Sequence, residues 1–204
     1  MDETNSPTEA RASDGRNGLQ TGSILIRPVR FGGTDDDPSL VRTLMREYAS
    51  FLNASVGGEH ICVESLEAEL AGLPGAYAEP AGAVLLAFAG DEPAGCVALK
   101  PLHIGAAPPS ERACEMKRLW VRAAFQGCRI GRQLAEAVVD LARARSYTAM
   151  YLDTMPRSMQ AAYSLYRAMD FHPVERYNQN PTLRQAESLE IAWLRRELSC
   201  ARPR

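Results

Sequence analysis

The chain of 204 residues has few of the side chains that metal centres and disulfide frameworks need. Its three histidines, His60, His103 and His172, are scattered without metal-ligand spacing. Its five cysteines, Cys62, Cys96, Cys114, Cys128 and Cys200, are odd in number and include no C-x-x-C pair. Neither a zinc site nor a disulfide scaffold is suggested, and no metal is expected. Charge of one sign is not in excess. The formal net charge of −2 gives no reason to expect nucleic acid or an acidic membrane as partner. No apolar run approaches the roughly 20 residues of a membrane helix. The polar N-terminus lacks the apolar core of a signal peptide, so a cytoplasmic location is the expectation. There is no internal repeat, no G-K-[ST] Walker loop and no G-x-G-x-x-G dinucleotide fingerprint.

What is present is ordinary for a globular domain: 46% apolar and 24% charged residues. The length fits one domain with a substantial core. Residues 1–22 are rich in Ser, Thr, Asn, Gly, Asp and Glu and nearly devoid of large apolar side chains. Such a segment cannot offset its ordering entropy and is expected to be a disordered tail. The domain is expected over 23–198, with a short tail over 199–204.

Periodicity sets the order of elements. A short strand at Ile24 is followed by a helix start at Asp35 to Pro38, with Leu40, Val41, Leu44, Tyr48, Phe51 and Leu52 at helical spacing. After Gly57-Gly58, a second helix is predicted from Val63 to Leu73. Three strands with short connections follow: Ala83 to Ala89, Gly95 to Leu102 and Ala113 to Val121. An amphipathic helix with Ile130, Leu134, Val138 and Leu141 on one face is predicted to end near Ser146. Then come a strand at Thr148 to Thr154 and a helix capped by Ser158, with Met159, Ala162, Leu165, Tyr166 and Met169 on its apolar side. A final strand at Ser188 to Leu194 alternates Leu189, Ile191 and Trp193 with smaller or polar residues. This order predicts a mixed α/β sheet.

The segment Gln126-Gly-Cys-Arg-Ile-Gly-Arg132 lies between a strand and a long helix. A helix start exposes free N–H groups and a partial positive charge, which small residues let an anion reach. Two arginines add charge. Taken alone, the segment reads equally well as a glycine-containing turn with solvated arginines.

Its surroundings are more specific. Glu115-Met-Lys-Arg-Leu-Trp-Val121, Gln126-Gly127-x-x-Ile130-Gly131, Leu152-Asp-Thr154 and Ala162-x-x-Leu165-Tyr166-x-x-x-x-Phe171 together resemble the GNAT superfamily of acyl-CoA N-acyltransferases. The resemblance implies a mostly antiparallel mixed sheet of six to seven strands flanked by about four helices. It implies acetyl-CoA as co-substrate and an amine acceptor, a small molecule or a protein; family members are often dimers, which makes a homodimer an expectation too. It also implies an opening between the strand at Leu119, Trp120 and Val121 and the strand at Tyr151 to Thr154. The pantetheine arm would lie there, paired with the backbone of Leu119 and Val121. Gln126, Gly127, Cys128, Arg129, Ile130, Gly131 and Arg132 would hold the pyrophosphate. The family loop has glycine where this chain has Arg129. Its side chain could crowd the site, or point outward and pair with a phosphate. Met159 stands where the family's helix often opens with asparagine, and Asp170 where it has glycine.

N-acylation needs a base, because an amine of pKa near ~10 is protonated at neutral pH. It also gains from a proton donor for the departing thiolate. Glu115, on the predicted strand six residues before Val121, is the candidate base. Strict alternation puts it on one face with Lys117, Leu119 and Val121, unless a bulge resets the parity. The alternative is a surface carboxylate, or one paired with Lys117 or Arg118. Tyr166, at the family's tyrosine position, is the candidate acid; the alternative is a core tyrosine. Tyr177, Asn178 and Asn180 are candidate acceptor ligands in a polar segment. Two other readings remain open at this stage: a non-catalytic acyl-CoA binder and a protein using the loop for another phosphate ligand.

Overall fold

The computed structural model describes residues 23–32, 36–55, 63–105, 108, 110–178 and 190–198. The expected tails, Gly57-Gly58, Asn180 and Ser188-Leu189 lie outside the described residues.

Among the described residues, seven strands form one sheet: β1 (Ile24–Pro28), β2 (Ala83–Ala89), β3 (Glu92–Leu102), β4 (Ala113–Val121), β5 (Ala149–Thr154), β6 (His172–Val174) and β7 (Ala192–Glu197). Four α-helices accompany them among those residues: α1 (Asp37–Ser55), α2 (Val63–Ala71), α3 (Ile130–Ala144) and α4 (Gln160–Ala168). The strand order is β1-β2-β3-β4-β5-β7-β6, antiparallel throughout except between β4 and β5. The mixed, mostly antiparallel sheet expected from the sequence is what forms.

Each face of the sheet has its own core. On one, α3 buries Ile130, Leu134, Ala135, Val138, Val139 and Ala142 against Leu85, Val97, Leu99, Cys114 and Met116, with Tyr166, Met169 and Phe171 completing the cluster. On the other, α1 and α2 bury Val41, Leu44, Met45, Leu66 and Leu70 against Val84, Leu86, Cys96 and Ala98. Burying one such Leu or Val contributes about 1.5–3 kcal/mol. Strands β2 and β3 are covered on both faces, which is why they read as apolar runs rather than alternations.

Three local expectations need correction. The last strand starts at Ala192, not Ser188, and runs to Glu197; it buries Leu194 and pairs with β5 and β6. Alternation alone could not fix where pairing partners begin and end. Ser158 does not cap α4: the N-cap is Met159, without a side-chain bond, and the Ser158 hydroxyl donates to the Ser55 carbonyl instead at 3.5 Å. The third concerns β4.

Its pairing with β3 shifts register between Cys96 and Ala98, where Arg118 adopts a left-handed φ of 57°. This is a β-bulge, and it resets the parity of the strand. Cys114 and Met116 face the α3 side, and so do Leu119 and Val121. Glu115, Lys117, Arg118 and Trp120 make their contacts on the opposite side. Glu115 therefore does not share a face with Leu119 and Val121. Gly95 sits under the bulged end, where a Cβ would lie 2.4 Å from the Trp120 carbonyl oxygen, so only glycine fits there.

Candidate active site

The parallel pairing of β4 and β5 covers only Ala113 with Ala149, Cys114 with Met150 and Glu115 with Tyr151. Beyond that point β4 continues to Val121 and β5 to Thr154 without a ladder between them. β3 holds the far edge of one strand and β7 the far edge of the other. An opening therefore lies within the sheet itself, with Glu115 and Tyr151 at its apex. The backbone of residues 117–121 has no ladder partner across it. Backbone groups in that state call for water or a ligand.

At the wide end, Ala123–Phe125 form a 3-10 turn leading to Gln126. Gly127 has φ 83°, which glycine adopts freely. Arg129 is the N-cap of α3 with φ 62° and ψ 9°, and no side chain caps the helix. The first-turn amides are thus not served by a cap, the condition for an anion site. Arg129 is exposed, Ile130 is fully buried, and Cys128 is half-buried. A Cβ at Gly131 would stand 3.7 Å from Val121 Cγ2, an ordinary contact, so the helix start packs against the end of β4 with room for alanine. The Gln126 amide donates to the Val121 carbonyl at 3.1 Å and ties the loop to the strand. Arg132 points along the helix to Glu136 at 3.2 Å, and its expected phosphate role has that competitor.

Trp120 contributes to the opening through its backbone only. Its indole turns to the α1 side, donates to Glu47 at 3.2 Å and packs on Phe51 at 5.2 Å. Glu47 also takes a two-pronged bond from Arg122, which holds its carboxyl below the usual value.

At the apex lies a buried ionic cluster. Glu115 is 1% exposed. Lys100 reaches its Oε2 at 2.9 Å, and Lys117 stands 3.7 Å from its Oε1. Tyr177 donates its hydroxyl to Oε1 at 2.9 Å, and the Asn178 amide approaches the same atom at 3.4 Å. Lys117 bridges to Asp153 at 3.2 Å. Burial lowers the Lys117 pKa, but Asp153 and Glu115 more than reverse that, and the ammonium persists well above neutral pH. Two carboxylates and two ammonium groups leave the cluster neutral. Glu115 is thus paired with Lys117, as one of the two sequence readings allowed. Arg118 is not part of this cluster: it turns to Glu69.

Tyr166 lies across the sheet, 6% exposed, with its ring edge-on to Phe171 at 5.9 Å. Burial pushes its pKa up, and the Tyr48 hydroxyl and Asp153 carboxylate add to the rise. Tyr166 is a neutral phenol and a hydrogen-bond donor at physiological pH. Met159, at the start of α4, accepts a contact from the Thr154 hydroxyl at 4.0 Å.

The structure therefore brings Glu115, Tyr177 and Asn178 together, while Tyr166 is buried in the core on the α3 side of the sheet. Asn180 lies outside the described residues. His172 is exposed on β6 at the sheet edge. Sequence reasoning did not single out Lys100, Lys117 or Asp153 as site residues. Lys117 and Asp153 lie inside the quoted motifs, but their pairing spans 36 residues and leaves no local trace.

Comparison with known proteins accords with this geometry. Residues 43–171 match the acetyltransferase (GNAT) family, well over half of the chain. The chain belongs to the GNAT acetyltransferase family. An uncharacterized N-acetyltransferase of Schizosaccharomyces pombe is 30% identical over 165 residues, covering 80% of this chain and 91% of the relative. Among solved structures, a GNAT acetyltransferase of Staphylococcus aureus superposes with TM-score 0.61 at 15% identity, covering 86% of this chain and 99% of that one. A GNAT acetyltransferase of Elizabethkingia anophelis with acetyl-CoA bound superposes with TM-score 0.55 at 20% identity, covering 86% and 98%. The chain is an N-acetyltransferase of the GNAT family.

Proposed function

We propose that this GNAT enzyme transfers the acetyl group of acetyl-CoA to an amine by direct attack in a ternary complex. The observation that carries the reading is the parting of β4 from β5 beyond Glu115 and Tyr151, beside the uncapped start of α3. The pantetheine arm is extended and polar along its length, and suits the unlatticed backbone of Leu119 to Val121. The pyrophosphate suits the amides of Gly127 to Arg132. The acetyl-CoA-bound Elizabethkingia relative supports the choice of co-substrate.

In the reaction the amine nitrogen attacks the thioester carbonyl, a C–N bond forms, the C–S bond breaks, and the nitrogen loses a proton while the sulfur gains one. Tyr166 donates to the sulfur as charge develops there. Glu115 receives the amine proton, either after the amine displaces Lys100 or through the Tyr177 hydroxyl, which gives its own proton to Glu115 as it takes one. Tyr177 and Asn178 border the acceptor.

An amine panel with acetyl-CoA, read by release of free thiol, tests the proposal. Amine-dependent release is expected for at least one acceptor class among small polyamines, amino acids and peptides. Stabilisation on heating by ATP or NAD but not by acetyl-CoA or coenzyme A would overturn it.

A further inference from the structure

Arg118 is the residue on which the opening turns. Its left-handed backbone lies at the β4 bulge, in the stretch of β4 beyond the last pair with β5. A side chain other than glycine resists that conformation, so something must hold it. The Arg118 guanidinium makes a two-pronged bond to Glu69 on α2, at 3.1 and 2.8 Å. The Tyr77 hydroxyl donates to the same carboxylate at 2.7 Å, and Tyr77 is itself 3% exposed. The Tyr48 ring lies 5.8 Å from the guanidinium carbon. From the other side, the Cys96 thiol donates to the Arg118 carbonyl.

We infer that Glu69, supported by Tyr77, is a positioning residue for acetyl-CoA binding: it holds Arg118, and through it the β4 bulge, in the conformation that keeps the sheet open. The inference rests on acetyl-CoA being the co-substrate. No role in the chemistry falls to Glu69, which touches neither the loop at Gly127 nor the Glu115 cluster through any hydrogen bond. It acts at the base of the bulge. Removing the carboxylate leaves the Arg118 guanidinium buried without its counter-charge, and the strongest relief is for residue 118 to leave the bulge conformation. The backbone at Leu119 and Val121 then shifts.

The test is the acetyl-CoA dissociation constant, by calorimetry, beside the melting temperature of each unliganded variant. Glu69→Gln is expected to weaken binding at least about tenfold, since a displacement near 1 Å has effects of that size or more. The double change Glu69→Gln with Arg118→Gly removes the stranded cation and gives the bulge a residue that adopts left-handed φ freely. It is expected to bind within about threefold of wild type. A purely structural Glu69 would lower the melting temperature of the single variant and leave the dissociation constant alone. That result overturns the inference, as does a double variant no better than the single one. Should Glu69→Gln fail to fold, Tyr77→Phe removes one hydroxyl from the clamp. It is expected to weaken binding about threefold, and an unchanged constant overturns the inference. Failure of the wild type itself to bind acetyl-CoA would overturn the co-substrate proposal, and this inference with it; wild-type binding with unchanged variants overturns this inference alone.

Discussion

Arg129→Gly separates the two things that an arginine does at the start of α3. Residue 129 has φ 62° and ψ 9°, in the left-handed region. There a Cβ costs about 1–2 kcal/mol, and glycine removes that cost. Glycine also gains freedom in the unfolded chain, which returns roughly 0.4–1 kcal/mol. The net expectation is a stabilisation of about 0.5–1 kcal/mol, or a rise in melting temperature near 2–3 °C for a domain of this size. The binding effect has the opposite sign. On the proposed function the exposed guanidinium beside the uncapped helix start pairs with a coenzyme A phosphate, and its loss is expected to weaken acetyl-CoA about threefold to tenfold. The salt dependence of binding should become shallower at the same time. Thermal and urea unfolding give the first readout and calorimetry at two ionic strengths the second. A variant that is less stable than wild type refutes the backbone argument. One that binds acetyl-CoA well where the wild type does not refutes the pairing argument, and shows that Arg129 crowds the site.

Other outcomes follow from the same geometry. Tyr166→Phe should keep acetyl-CoA affinity and lose turnover by about a hundredfold or more, as expected for loss of a proton donor; near wild-type rates for both this variant and Glu115→Gln would remove the two as acid and base. In the native protein Cys96 should resist a thiol reagent at pH 8: burial pushes its thiol up to about 12, leaving roughly one part in ten thousand as thiolate, and modification at the rate of an unfolded control would refute that burial. The Asp37 carboxyl is held low by the Arg27 guanidinium, Glu47 by Arg122, and Glu69 by Arg118 and Tyr77 against its burial. Depressed carboxyls contribute stability that is fully present above their unfolded values and is lost as pH falls through the folded ones. Melting temperature should therefore be flat above about pH 5 and fall progressively below about pH 4. Asp37→Asn should make that fall shallower, and a slope equal to wild type would show that the Arg27 pair adds nothing.

Much of the fold was legible because its signals are local. The apolar run Ala83–Ala89 and the strand signal Ala113–Val121 form strands with those bounds. The face of Ile130, Leu134 and Val138 is buried as its spacing implies. The bulge was left open by the alternation, and its position shows only beside the structure. Cys114 and Met116, then Leu119 and Val121, are apolar at intervals of two, three and two, and the interval of three marks the extra residue. What could not be read were the partners. Arg118 meets Glu69 across 49 residues, and Arg122 meets Glu47 across 75. Such pairs depend on how α1 and α2 pack on the sheet, which no window of sequence contains. The C-terminal ends of α3 and α4 show the opposite lesson. Ser146 and Asp170 both take φ 61°, and Tyr147 and Phe171 bond back to Ala142 and Tyr166. The backbone motif is kept without the glycine that usually permits it.

The open sheet poses an energetic question that the surrounding contacts answer. Leaving residues 117–121 without a ladder to β5 forgoes backbone bonds worth about 0.5–1.5 kcal/mol each. An unsupported chain would close the gap and extend the β4–β5 ladder to Thr154. Here the far side of β4 is anchored three times: Arg118 to Glu69, Trp120 to Glu47, and Arg122 to both Glu47 and the Pro93 carbonyl. On the near side Leu119 and Val121 are seated in the α3 core, which closure would unseat. Gly95 lets β3 follow the bulged strand closely enough to keep its own ladder. The opening is thus held by the protein's own contacts, and a ligand that supplies the missing backbone partners binds without having to part the strands.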